Sequence, residues 1–229
     1  MKIDIITLFP GMFGGFLKES MIKLAQEKDL VQVKTHDLRK WTSDKRKTAD
    51  DKPFGGGAGM IMKVEPVFKA LEDIVKEKDR EKTKIILMTP QGRTLDQMVC
   101  RQLSELERIV LVCGHYEGVD ERIRLLVDDE ISIGDYIITG GELAACIIVD
   151  SVTRLLPGVL GNPEGLDTET FDNGLIEYPQ YTRPREYKEM KVPDVLLSGD
   201  HKKIENWRKR QALKKTKEKR PDLYKSHES

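Results

Sequence analysis

Two textures of apolar and polar positions alternate along the chain. Residues 2–8 (KIDIITL) run almost continuously apolar, as a buried strand does, and Pro10-Gly11 ends the run. Residues 16–26 then carry apolar positions at helical spacing, so the pattern predicts an amphipathic helix. The same reading predicts strands over 31–35 (VQVKT), 84–88 (KIILM), 108–113 (RIVLVC) and 130–133, with helices over 64–78, 94–106, 119–126 and 142–156. Residues 37–59 are polar and end in PFGGGAG, so they read as a loop without a core pattern. Strands that alternate with helices predict an α/β domain with a mostly parallel sheet.

After Gly158 the texture changes. Residues 161–174 (GNPEGLDTETFDNG) are rich in Gly, Asn, Asp and Thr and poor in apolar residues, which predicts a linker or mobile loop. LIEYPQYTRPREY is irregular and aromatic, and residues 202–219 form a basic helical pattern. The expected organisation is therefore a domain over 1–160, a linker over 161–174 and a small, mostly helical domain over 175–229.

Composition narrows the class. With 38% apolar and 34% charged residues in 229, the chain is of soluble globular type with enough apolar side chains for a core. Its 39 basic and 39 acidic residues cancel, so only their distribution can point to a polyanionic partner. That distribution is uneven. Lys202, Lys203, Arg208, Lys209, Arg210, Lys214, Lys215, Lys217, Lys219 and Arg220 face only Glu205 and Glu218, with Trp207 among them. A run of this kind is usually a solvated helix face; here its asymmetry also suggests a surface for a phosphate backbone. Cys100, Cys113 and Cys146 are widely spaced in apolar contexts, which argues against disulfides and zinc and for a reducing, cytoplasmic compartment. Asp4 within the first apolar run makes a poor signal peptide, and no apolar run approaches the roughly 20 residues of a membrane span.

In an α/β domain, ligands bind off the carboxyl ends of the strands. PQGR (90–93) follows one predicted strand, GHYEGVDER (114–122) another, and SIGDYIITGGE (132–142) a third, while PFGGGAG (53–59) adds a further glycine-rich loop. Alone, PQGR or PFGGGAG is ordinary turn chemistry. Together the loops expose glycine backbone at strand ends. None places a Lys or Ser/Thr after its glycines as a phosphate cradle does, and none fits a dinucleotide fingerprint, so they suit an adenosine-containing ligand held by backbone hydrogen bonds. Asp120 and Glu121 fit a helix N-terminus on dipole grounds, whereas Glu117 lies in a glycine-framed loop, where a carboxylate can meet a cationic centre or a purine amine. Arg154 has Asp150 four residues before it, so spacing alone allows either a helix-surface ion pair or a guanidinium aimed at an anionic substrate.

Taken together, ITLFPGMF, FGGGAGM, TPQG, CGHYEGVDER, SIGDYIITGGELA, DSVTRLLPGVLGN, YPQYTRP and VPDVLLSGDH resemble, in order and almost end to end, the bacterial tRNA (guanine-N1)-methyltransferases. The resemblance implies a SPOUT-class fold with a deep trefoil knot, an obligate homodimer with its active site at the subunit interface, and a small C-terminal domain that binds tRNA. It implies S-adenosylmethionine as the methyl donor, with magnesium as an accompanying ion, and the guanosine 3′ of the anticodon, position 37, as target.

Carried over residue by residue, the donor pocket falls on Leu87, Thr89, Pro90 and Gly92, on Gly114, Tyr116, Glu117 and Gly118, and on Ser132, Ile133, Gly134, Tyr136, Ile138, Gly140 and Gly141. The family's catalytic arginine falls on Arg154. Its catalytic carboxylate, usually Asp in Asp-Ser-Phe, falls on Glu169 in Glu-Thr-Phe, with Asp167 and Asp172 as nearby alternatives. Ala144 stands where a proline is common. The alternatives to this reading are a SPOUT enzyme acting on another RNA or atom, and a non-catalytic RNA-binding module that senses the donor.

Overall fold

The computed structural model describes residues 1–161, 169–171 and 174–228. The apolar runs become strands of one sheet. In chain order the first unit holds β1 (Lys2–Thr7), α1 (Ser20–Glu27), β2 (Gln32–Asp37), β3 (Asp50–Asp51), β4 (Ile61–Met62), α2 (Val64–Ile74), β5 (Thr83–Thr94), α3 (Gln97–Ser104), β6 (Arg108–Cys113), β7 (Asp129–Ser132) and α4 (Glu142–Thr153). Five strands form a sheet of order β2-β1-β6-β5-β7, and every neighbouring pair is parallel.

Parallel strands carry helices on both faces, and the core follows the two-residue alternation of each strand. Ile109, Leu111 and Cys113 of β6 join Ile3, Ile5, Ile86 and Met88 in one cluster with Ala145, Ile148, Val149 and Val152 of α4. Val110 and Val112 join Ile6, Leu87 and Ile85 in the other, with Val67, Ala70 and Leu71 of α2 and Ile123. The buried positions of α2 recur at helical spacing, which explains why that segment is a helix. Burial of each such branched side chain is worth about 1.5–3 kcal/mol, so truncating Leu111, fully buried at the sheet centre, would also leave a cavity.

The elements differ from the sequence expectation at their ends. The expected helix over 16–26 is interrupted, because Glu19 is extended (φ −124, ψ 160) and Ser20 is left-handed at φ 51. Only Phe16–Lys18 and Ser20–Glu27 are helical. α3 starts later than expected because Asp96 caps it, its side chain accepting from Val99 N at 2.8 Å. The helix expected over 119–126 is a 3₁₀ turn, Glu121–Leu126, capped by Asp120. PQGR is not a loop after a strand: β5 runs through it to Thr94 with a register shift. The polar segment after β2 also holds a 3₁₀ turn, Leu38–Trp41, and β3 pairs with β4.

Asp4 is the buried charged residue of β1. Its Oδ1 lies 2.6 Å from His36 Nε2 of β2, and Oδ2 accepts from Arg108 Nε and Nη2 of β6 at 2.9 and 2.7 Å. Burial pushes the Asp4 carboxyl up, but the hydrogen bonds and charges of His36 and Arg108 outweigh it and hold the group below its ordinary value.

Contacts divide the chain into units Met1–Gly161 and Asn162–Ser229. The second contains the hairpin β8 (Glu186–Tyr187) and β9 (Met190–Lys191), then α5 (Asp194–Leu197), α6 (His201–Lys219) and α7 (Pro221–Glu228). Asp200 caps α6, accepting from Lys203 N at 3.0 Å, and Pro221 opens α7, where its missing N–H costs nothing. No helix of the described residues is long and apolar enough to cross a membrane.

Candidate active site

The carboxyl ends of β5, β6 and β7 meet around one cleft of about 440 Å³. Three irregular backbone segments make its walls. In β5, Met88 and Arg93 both stand opposite Ile131 of β7, so residues 89–92 bow out of the ladder. After β6 the chain turns through Tyr116, a non-glycine residue at φ 63, and Gly118 at φ 145. That loop is held by the segment of β4: Glu117 N donates to Met60 O at 3.1 Å and Asp120 N to Met62 O at 2.9 Å. The glycine-rich stretch before β4 therefore delivers a clamp for the second loop. After β7 the chain doubles back over the end of β6, where Gly141 N donates to Gly114 O at 2.8 Å.

At Gly141 this crossing packs backbone on backbone. A Cβ there would lie 2.8 Å from Cys113 Cα, 2.9 Å from Gly114 N and 2.9 Å from Met88 Cβ. Only glycine lets the third segment lie on the first two.

Most of the expected pocket residues line this cleft. Thr89 and Pro90 come from the bow of β5, and Gly114, Tyr116, Glu117 and Gly118 from the second segment. Ser132, Ile133, Gly134, Tyr136, Ile138, Gly140 and Gly141 come from the third. Two lie elsewhere. Leu87 is wholly buried in the cluster on the α2 face. Gly92 packs on the backbone of Glu130 beside a neighbouring cleft. Ala144, which stands where a proline is common in the family, lines the cavity too, and so do residues the sequence did not single out, among them Ile61, Met88, Gln91, His115 and Arg124. Met88 and Gln91 flank or fall within the TPQG run and His115 stands in GHYEG, so position could have found them. Arg124, in an ordinary RIRLL run, carries no such mark.

Behind the third segment lies a buried acid. Glu142, the first residue of α4, accepts from Thr7 Oγ1 at 2.7 Å, and its Oε2 lies 3.9 Å from His115 Nδ1. That nitrogen is buried without a hydrogen-bond partner among the described residues. Burial, reinforced by the Glu142 charge, pushes the Cys113 thiol well above its ordinary value, so Cys113 is packing rather than a nucleophile. Burial and then Asp50 raise the Tyr116 hydroxyl.

The fixed positive charge among the described lining residues is Arg124, and Glu121 and Glu130 pair with it. Glycine backbone, apolar walls and a compensated guanidinium suit a flat ligand without phosphates.

Arg154 closes the C-terminus of α4, its N–H donating to Asp150 O at 3.1 Å. Glu169 belongs to the second unit and is partly buried. Asp167 and Asp172 lie outside the described residues. No group of three or more His, Cys, Asp and Glu side chains placed to hold a metal ion occurs among the described residues.

In the second unit, α6 carries exposed lysines and arginines along its length and buries Thr216. Lys209 pairs with Glu205 at 2.7 Å and Lys214 with Glu218 at 4.0 Å, which leaves most of its cations facing solvent.

The family model described as tRNA (Guanine-1)-methyltransferase TrmD matches residues 1–226. The chain belongs to this family. Among curated relatives, the tRNA (guanine-N(1)-)-methyltransferase of Dictyoglomus turgidum is 53% identical over 223 residues, 97% of this chain and 89% of the relative. Proteins of the same description from a Geobacter species and from Halalkalibacterium halodurans are each 55% identical over 224 residues. These cover 97% of this chain and 89% and 91% of the relatives. The family expected from the motifs is therefore the family found.

Proposed function

We infer that the chain is an enzyme that transfers a methyl group from S-adenosylmethionine to N1 of guanine in tRNA, at the guanosine 3′ of the anticodon (position 37). The observation that carries this reading is the glycine-walled cleft at the ends of β5, β6 and β7, in a chain whose relatives are named for that reaction. The donor supplies a methyl on a cationic sulfur. Thr89, Pro90, Gly114, Tyr116, Glu117, Gly118, Ser132, Ile133, Gly134, Tyr136, Ile138, Gly140 and Gly141 hold it through backbone groups and apolar contact.

Guanine N1 keeps a proton at neutral pH and is a poor nucleophile until the proton leaves. Glu169 accepts that proton as general base. Negative charge then grows on guanine O6, and the Arg154 guanidinium stabilises it. N1 is left with the lone pair that forms the new bond, and holding the reactants in line supplies much of the remaining acceleration. The base leaves the anticodon-loop stack to reach the site. The described residues do not make a cage for magnesium, and no step is assigned to it.

The reading includes a knotted SPOUT fold over 1–160, supported by the return of the chain after β7 across the end of β6. It includes a linker over 161–174 and a tRNA-binding domain over 175–229, supported by the charge of α6. It also includes a homodimer and a cytoplasmic setting, where tRNA is modified.

Glu169→Gln tests the chemistry. Single-turnover methylation of a tRNA transcript with guanosine at position 37 should fall by at least about 100-fold, the scale of general-base catalysis, with donor affinity nearly unchanged. Full activity in that variant would sink the assignment. Transfer to a transcript with adenosine at that position would favour a different target, and binding without transfer a non-catalytic module.

A further inference from the structure

The bow in β5 presents Thr89 and Pro90 to the cleft, yet the ladder does not hold it. Between Met88 and Arg93 the register steps over residues 89–92, so this stretch lacks the restoring force of regular sheet pairing. Its internal bond is long: Gln91 N donates to Thr89 Oγ1 at 3.4 Å. The firm tie is a side chain. Arg124 Nη2 donates to Gln91 Oε1 at 2.8 Å, and Nε donates to Glu121 Oε2 at 3.0 Å. Nη1 pairs with Glu130 of β7. The Arg124 side chain is only 17% exposed.

One planar guanidinium thus joins three elements that wall the cleft, and its fixed fork suits that geometry where a lysine ammonium does not. We propose that Arg124 is a positioning residue for the methyl donor, holding the bow of β5 at the distance from β7 and the 121–126 turn that the ligand requires. The inference rests on reading the cleft as the S-adenosylmethionine site.

A charge role and a positioning role predict opposite signs. The donor is a cation, so deleting a nearby positive charge would by itself tighten S-adenosylmethionine and leave the neutral thioether S-adenosylhomocysteine unaffected. Loosening the bow weakens both ligands alike.

The test uses the full chain with Arg124→Met, Arg124→Lys, Gln91→Leu and the double variant Arg124→Met/Gln91→Leu. Calorimetry gives the Kd of both ligands, steady-state kinetics gives kcat and KM for the donor, and thermal melting reports folding. Arg124→Met should weaken both ligands by roughly tenfold, the size of one lost hydrogen bond to a charged group, and raise KM by a similar factor. Its kcat at saturating donor should stay within about twofold, since uniform binding is what is lost. Arg124→Lys should recover only part of the loss. Gln91→Leu should weaken binding less, and the double variant no more than Arg124→Met alone, as expected for coupled residues.

Unchanged affinities in folded Arg124→Met, or tighter S-adenosylmethionine with unchanged S-adenosylhomocysteine, would overturn the proposal. If Arg124→Met does not fold, Gln91→Leu cuts the same tie while leaving the guanidinium on its carboxylates, and unchanged binding there would overturn it. A wild-type chain that binds neither ligand would overturn the reading of the cleft, and this inference with it.

Discussion

At Gly141 a single missing methyl decides whether the cleft can form. Alanine there would press on Cys113 Cα and the Gly114 backbone, neither of which can swing aside as a flexible side chain can. Gly141→Ala should lose about 1–3 kcal/mol of stability in denaturant titration, with donor affinity falling at the same time. A stable variant with normal affinity would show that the crossing is looser than described. The pair Gly140-Gly141 was legible in the sequence as glycines that fit no phosphate motif. Their neighbours were not, since Cys113 and Met88 are distant in the chain and meet them only once the sheet exists. The same holds for Arg124, whose role depends on acceptors from three elements, and for Leu87, which strand alternation turns away from the cleft.

Elements were legible where one face or both meet the core. RIVLVC is β6 to the residue, because a run buried on both faces has no competing signal. Ends were less legible, because a cap such as Asp96 or a left-handed residue such as Ser20 stops a helix against its apolar period. PQGR reads as a turn, and the bow of β5 keeps that local chemistry inside a continuing strand. Asp4 in β1 belongs to this scale too, since it joins three strands. Its carboxyl sits below the ordinary value in the folded chain, so it contributes stability that is present above the unfolded-state value, near 3.8. That contribution is lost as pH falls through the lower folded value. Denaturant melts below about pH 4 should show a steep acid loss in the wild type. Asp4→Asn should be less stable at neutral pH and flatter in acid. An acid slope unchanged by the substitution would remove Asp4 from the account.

For the whole molecule, the apolar surface of the first unit matters. Leu143 and Ile147 stand one helical turn apart on α4 and are 53% and 43% exposed, and Met98 on the adjoining α3 is 65% exposed. Exposed apolar side chains one helical turn apart, as Leu143 and Ile147 are, suit burial against a second copy. On the proposed homodimer reading, Ile147→Glu should shift sedimentation from dimer to monomer and lower methyl transfer in parallel; a wild type that sediments as a monomer would end that reading. The order β2-β1-β6-β5-β7 carries a consequence for the chain as it is made. β1 must wait for β6, more than a hundred residues later, and the outer edge of β5 stays open until β7 arrives. Parallel, non-local pairings of this kind close slowly and leave a bare strand edge meanwhile. The backbone from Ile133 to Gly141 can settle on the end of β6 only after that strand is in place. The cleft therefore forms only after β7 has joined the sheet, and a newly made chain that holds its ligand has already paired β5 with both β6 and β7.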